Sequence, residues 1–150
     1  MELKQIGVIH SPYQERKDAP RQGRLSELEM VIEVFPEFED CMLNVENASH
    51  IFVLYWGDRA NREIKKSPTP FSKEPMGVFA SRSPNRPNPI AICIANLLRC
   101  EGNKLIVRGL DALDNSPLLD IKVYSPGIDS IPEATNKHMP SHPNDIPLRK

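Results

Sequence analysis

Leu28-Glu29-Met30-Val31-Ile32-Glu33-Val34-Phe35 is the stretch on which the fold turns. Leu28, Met30, Ile32 and Val34 alternate with Glu29, Val31, Glu33 and Phe35, a period of two that fits a strand with one face more polar than the other. On its amino-terminal side, residues 3–10 predict a first strand, rich in Ile and Val and stopped by Ser11-Pro12. On its other side, Phe38, Cys41, Met42 and Val45 recur at helical spacing after Pro36 and predict one short amphipathic turn of helix. Next comes Ile51-Phe52-Val53-Leu54-Tyr55-Trp56, a continuous apolar run suited to a buried strand. Further short strands are expected at 76–80, 90–99, 104–108 and 118–124, with Glu101-Gly102-Asn103 as a hairpin turn. In the strand from 90, Ile90, Ile92 and Ile94 face one way and an alanine-rich set the other, which lets another layer approach closely. Many short strands and one brief helix argue a mainly β fold, an antiparallel barrel or a sandwich, rather than an α/β fold.

The segment Ser81-Arg82-Ser83-Pro84-Asn85-Arg86-Pro87-Asn88-Pro89 interrupts this pattern. Each proline fixes its own φ, removes a backbone donor and pushes the residue before it toward extended geometry, so the loop has little conformational entropy left to lose. Such a loop can hold side chains still. Arginine forks suit carboxylate or phosphate, and asparagine offers the paired donor and acceptor of an adenine edge. A rigid turn between two strands explains the same prolines without a ligand.

A chain of 150 residues is long enough for one core and too short for two, so residues 1–150 are expected to form a single domain with residues 125–150 as an extended proline-rich tail. The start, Met1-Glu2-Leu3-Lys4-Gln5, lacks the build of a signal peptide and no apolar run reaches membrane-spanning length; a cytoplasmic protein is expected, with no membrane partner. Cys41, Cys93 and Cys100 lack metal-ligand spacing and are expected to be reduced core thiols, with no metal site. The net charge of −1 gives no global nucleic-acid signal. Positive charge is local instead: Arg59, Arg62, Lys65, Lys66 and Lys73 lie in a loop from 57 to 75 whose length and prolines suggest a flap or binding arm.

No glycine-rich strand-to-helix turn of the dinucleotide-binding kind is present. The stretch from Gly77 to Ile90, however, resembles almost letter for letter the signature of the TrmO family of tRNA methyltransferases. Three further segments match it in order: Ile6-Gly7-Val8-Ile9 with Ser11-Pro12-Tyr13 and Pro20-Arg21-Gln22; Ser49-His50-Ile51; and Leu110-Asp111 through Asp114, Pro117, Asp120-Ile121-Lys122 and Tyr124. The resemblance runs from about Ile6 to Pro126. It implies a small β-barrel that binds S-adenosylmethionine, acts as a homodimer and methylates N6-threonylcarbamoyladenosine beside the tRNA anticodon.

It also implies a cofactor cradle made of Pro20, Arg21, Gln22, Asp58, Arg59, Arg82, Ile92, Asp114, Asn115, Ser116 and Pro117. These residue types suit that ligand. Arginines pair with the methionine carboxylate, an aspartate accepts from a ribose hydroxyl, amides read adenine and isoleucine covers its face. Arg62, Lys65, Lys66, Arg86 and Asn88 are the expected substrate contacts, Arg86 as partner of the threonyl carboxylate and the lysines on the tRNA backbone. Methyl transfer from a sulfonium is an in-line displacement in which positioning does most of the work and a base helps the acceptor nitrogen lose its proton. Asp114 and Arg86 are the expected catalytic pair; Asp120, Asp58 and His50 are the other candidate bases, and the sequence does not decide among them. Ala91, Asn115, Val123 and Asp58 depart from the family pattern; Asn115 tolerates the left-handed backbone that glycine supplies there. A cofactor-binding module without catalysis and a plain RNA-binding barrel are the competing readings, and the near-neutral charge and lack of interleaved aromatics count against the latter.

Overall fold

Met30, Ile32 and Val34 are buried while Val31 and Glu33 are half-exposed, so the alternation that opens the sequence becomes the inward and outward faces of a strand. The computed structural model describes residues 1–139 and Asp145. Six strands close a barrel: β1 (Gly7–His10), β2 (Met30–Val34), β3 (His50–Trp56), and, after a two-stranded hairpin of β4 (Lys66–Thr69) and β5 (Ser72–Gly77), β6 (Ile90–Glu101), β7 (Lys104–Arg108) and β8 (Ser116–Val123). Their order around the ring is β1-β2-β7-β6-β3-β8, and β8 pairs back with β1. Every pairing is antiparallel. Register shifts opposite Leu54/Tyr55, where β8 carries the extra residue Leu119, and at Leu97/Arg99, where β6 carries the extra Leu98, bend β8 and β6, which closure of so small a sheet requires.

The interior is filled by Ile9, Met30, Ile32, Val34, Ile51, Val53, Leu105, Val107 and Leu118, each at most 2% exposed. From β6 the buried groups are the small Cys93 and Ala95, with Ala91 and Leu97 packed at the two ends of that face, whereas Ile90 and Ile92 stand outside. A six-stranded barrel has no room for a full set of large side chains, so the alanine-rich face points in.

The structure corrects the expected elements in four places. The helical spacing after Pro36 produces two 3-10 segments, Pro36–Met42 and Val45–Asn47, split by Asn44 at φ +69°; Phe38, Met42 and Val45 still pack on the core. One α-helical turn, Pro126–Asp129, stands in the tail, whose residues 140–144 and 146–150 lie outside the described residues. The strand expected at 76–80 ends at Gly77, and the 57–75 loop carries the β4–β5 hairpin, whose period-two pattern Pro68, Pro70 and Pro75 conceal. Cys93 is buried, but Cys41 and Cys100 are exposed rather than in the core. No helix among the described residues is long and apolar enough to cross a membrane.

Antiparallel closure brings the ends of β1, β3 and β7 and the starts of β2, β6 and β8 to one rim. The loops 11–29, 57–89 and 109–115 all issue from that rim. Loop 109–115 caps the barrel with Leu110 and Ala112, both fully buried. Gly109 adopts φ +99° where it crosses β6, and Gly23 lies so close to the Gly109 carbonyl that a side chain at 23 would overlap it. The Pro20-Arg21-Gln22 segment is thereby seated against the barrel.

Candidate active site

Asp114 and Arg59 tie three rim loops together. Ser11 N donates to Asp114 Oδ1 at 2.9 Å, Asp114 N donates to Tyr13 O at 2.7 Å, and Asn115 N donates to Ile9 O at 2.9 Å. Asn115 holds φ +64°, so the amide does accept the left-handed turn. The Arg59 guanidinium donates to Gln14 O at 3.1 Å and to Asp114 O, and pairs with Asp58 at 3.3 Å. Ser116 is buried and its hydroxyl donates to Leu113 O at 2.6 Å, while Pro117 sits opposite Val8 in the β1–β8 pairing; both shape the turn.

The hydrogen bond from Ser11 N outweighs the opposing effect of burial and, aided by Gln14, Asn115 and nearby His10, holds the Asp114 carboxyl below its ordinary range. A carboxylate held this way is a poor proton acceptor at neutral pH. Its folded pKa is depressed, so its stabilising contribution is present above the unfolded value of about 3.9 and is lost as pH falls through the folded one. Asp114→Asn is therefore expected to melt below the wild type at pH 7, with the gap closing in acid below about pH 4. A gap independent of pH in thermal melts would contradict this.

The proline loop is folded by one of its own arginines. Arg86, half-buried, donates from Nη2 to Val78 O at 2.9 Å and from Nη1 to Ser83 O at 3.2 Å and Ser81 O at 3.4 Å. Arg62 braces the same loop from outside, with Nε donating to Pro87 O at 2.8 Å, Nη2 to Asn88 Oδ1 at 3.4 Å and its guanidinium 5.2 Å from the Trp56 ring centre. Asn85 Oδ1 accepts from Asn61 N at 2.9 Å. Arg82, by contrast, is exposed and reaches back along β6, donating to Ile92 O at 3.3 Å. Arg82, Ile92 and the braced loop thus lie together, and the 20–22 segment runs on into Gly23, which packs beside Cys93 of the same strand. Lys65 and Lys66 are exposed on the arm that carries β4.

Two features bear on what the rim could hold. Among the described residues Arg21 Nε is buried and has no hydrogen-bond acceptor, an orphaned cationic donor that calls for an anionic or carbonyl oxygen. The other feature is Asp111, which the motif containing Leu110-Asp111 displays but which no chemical pattern in the sequence marks out. Its Oδ1 accepts from Tyr55 OH at 2.6 Å and from Cys93 Sγ at 3.0 Å. Burial first, and the Asp111 charge second, push both the Tyr55 hydroxyl and the Cys93 thiol far up, so both stay protonated.

Residues 8–130 match the family described as tRNA-methyltransferase O N-terminal domain. The S-adenosyl-L-methionine-binding protein of Archaeoglobus fulgidus is 50% identical over 131 residues, 87% of this chain and 94% of that protein. A tRNA (adenine(37)-N6)-methyltransferase of Escherichia coli (strain K12) is 32% identical over 153 residues, 95% of this chain and 65% of that enzyme. A second Archaeoglobus fulgidus relative, a probable S-adenosyl-L-methionine-binding protein 50% identical over 134 residues, extends further, and this chain spans 37% of it. A crystal structure of TrmO superposes with a TM-score of 0.81 at 32% identity over 93% of this chain, which spans 64% of that one. With the signature loop, the six-stranded barrel and the rim constellation all in place, the chain belongs to the tRNA-methyltransferase O N-terminal domain family.

Proposed function

We propose that this chain binds S-adenosylmethionine at the rim and transfers its methyl group to N6 of adenosine 37 in tRNA, with threonylcarbamoyladenosine as the acceptor nucleoside. The observation that carries the reading is Arg21: a buried guanidinium nitrogen without an acceptor, in the Pro20-Arg21-Gln22 segment and on the rim that bears Arg82, Ile92 and Asp114. The names of the bacterial and archaeal relatives support it. The residues present suit the cofactor: Arg21 and Arg82 for its carboxylate, Asp58 for a ribose hydroxyl, Gln22 and Asn115 for adenine edges and Ile92 for the adenine face. Bound there, the cofactor supplies an electrophilic methyl carbon. Arg86 and Arg62 act by fixing the loop that presents Arg82 and Asn88, and Lys65 and Lys66 meet the tRNA backbone.

The same reading includes a homodimer. Phe79, 82% exposed, and Ile90 and Ile92, both more than 40% exposed, leave the outer β6 face and its loop apolar beside the cradle, and a second copy laid on them would complete a cavity for a nucleoside. Sedimentation equilibrium of a fully active monomer would exclude it.

Incubating the protein with S-adenosylmethionine and tRNA carrying threonylcarbamoyladenosine, followed by mass spectrometry of the nucleosides, tests the function. A methyl gain of the modified adenosine is expected; cofactor binding without transfer would identify a binding module instead. Arg82→Ala is expected to weaken cofactor binding about 10-fold or more by titration calorimetry, the effect of losing one charge-assisted contact, without changing the melting temperature. Unchanged affinity would remove Arg82 from the site.

A further inference from the structure

The outer face of the barrel carries a second polar groove, of about 250 Å³, lined by Arg24, Ser26, His50, Ile94, Asn96, Arg108 and Gly109. Its floor is set by strand register. His50 pairs with Asn96 across β3 and β6, and Asn96 pairs with Arg108 across β6 and β7, so three polar side chains form one lateral row over three neighbouring strands. All three are exposed. Arg24, from the 3-10 segment Gly23–Leu25, joins the row and has no hydrogen-bond or ion-pair partner among the described residues. His50 Nδ1 shares a hydrogen bond with Ser49 Oγ at 2.9 Å, which leaves Nε2 for the groove. Arg108 pairs loosely with Glu29 at 3.5 Å, while Arg99, 3.8 Å from the same carboxylate, is held by Glu101 at 2.7 Å. At 3.5 Å and exposed to solvent, the Arg108–Glu29 pair is weak enough for a phosphate to compete for the guanidinium. The groove thus gathers two guanidinium forks, an amide and an imidazole, a donor-rich set whose common complement is a phosphate group.

Two connections link the groove to the cradle. Arg24 lies two positions after Gln22, on the segment seated by Gly23. Ile94 in the groove lies two positions along β6 from Ile92, whose carbonyl Arg82 holds. From Ile92 to Asn96 the strand advances about 13 Å, so a polynucleotide strand entering the cradle can lay a neighbouring backbone phosphate in the groove.

We propose that Arg24, His50, Asn96 and Arg108 form a phosphate subsite for the backbone of the substrate RNA, next to the methyl-transfer site. The proposal rests on the tRNA reading given above. It assigns His50 to substrate binding instead of to proton transfer, and it places the RNA along β6 as well as against the lysines of the arm.

The test compares the wild-type protein with Arg24→Gln/Arg108→Gln in fluorescence anisotropy titrations of a labelled tRNA anticodon stem-loop over a salt series, with S-adenosylmethionine affinity measured alongside. Loss of about two phosphate contacts should weaken RNA binding about 10-fold or more at moderate salt and flatten the slope of log affinity against log salt by roughly 1–2. Cofactor affinity and melting temperature should stay as in the wild type. RNA affinity and slope equal to the wild type's would overturn the subsite while leaving the methyltransferase reading intact. A wild-type protein that binds no RNA would overturn both. Inorganic phosphate supplies the remaining arm: if it titrates the His50 and Asn96 side-chain resonances but the double substitution leaves RNA binding untouched, the groove is a free-anion site and the proposal fails.

Discussion

Arg86→Ala is expected to slow methyl transfer by about 100-fold, although Arg86 spends its guanidinium on the protein's own backbone. Its bonds to Val78 O, Ser81 O and Ser83 O fold the proline loop, and without them Arg82 and Asn88 lose their fixed positions. Misplacing a positioned group by about 1 Å costs on that order. Arg86→Lys should rescue little, because an ammonium cannot reproduce a planar fork that reaches three carbonyls at once. Single-turnover methylation of modified tRNA for both variants, beside circular dichroism of the fold, reads the outcome. Full activity of the lysine variant would show that charge, and not the fork, is what the loop needs.

Gly23→Ala is the second large effect. A Cβ there would overlap Gly109 O and come to 3.0 Å from Cys93 Sγ, and Gly109 has no slack because its own backbone crosses tightly over Ile94. The substitution should cost about 3 kcal/mol, the upper part of the range for overpacking, or roughly 6–12 °C in melting temperature. It should also weaken cofactor binding, since displacement of residue 23 moves Arg21 and Gln22. Gly57→Ala is the control: a Cβ at 57 meets Pro89 O at an ordinary 3.4 Å, so it should change either quantity little. Equal melting temperatures for the two variants would refute the close approach.

The alternation of Met30, Ile32 and Val34 and the apolar run at 51–56 made the barrel strands readable, because inward and outward faces are written in the residues themselves. The arm was not readable as a hairpin, since the prolines at 68, 70 and 75 erase the β signal where β4 and β5 nonetheless pair. At the site, the proline loop announced rigidity, yet which arginine builds it and which faces outward depends on where three carbonyls converge, a tertiary fact. Thus Arg86, expected at the substrate, holds the loop, and Arg62, expected on tRNA, packs against Trp56 and Pro87. Asp111 stayed hidden for a related reason: Tyr55 and Cys93 reach it only once the 109–115 loop has crossed the barrel mouth.

Closure of the ring has a consequence for how the chain is made. β1 occupies Gly7–His10, but one of its two edges waits for β8, with Gly7 opposite Leu118. A nascent chain exposes that edge until Ser116–Leu118 have emerged, and bringing such distant partners together carries the loop-closure cost that slows β-rich folding. The short four-residue length of β1 and the charged Lys4 and Glu2 before it limit what an unpaired edge can recruit in the meantime. The proposed cofactor cradle inherits this timing: its Asp114–Pro117 turn leads into the strand that locks the barrel, so that part of the rim cannot take its final shape before the barrel closes.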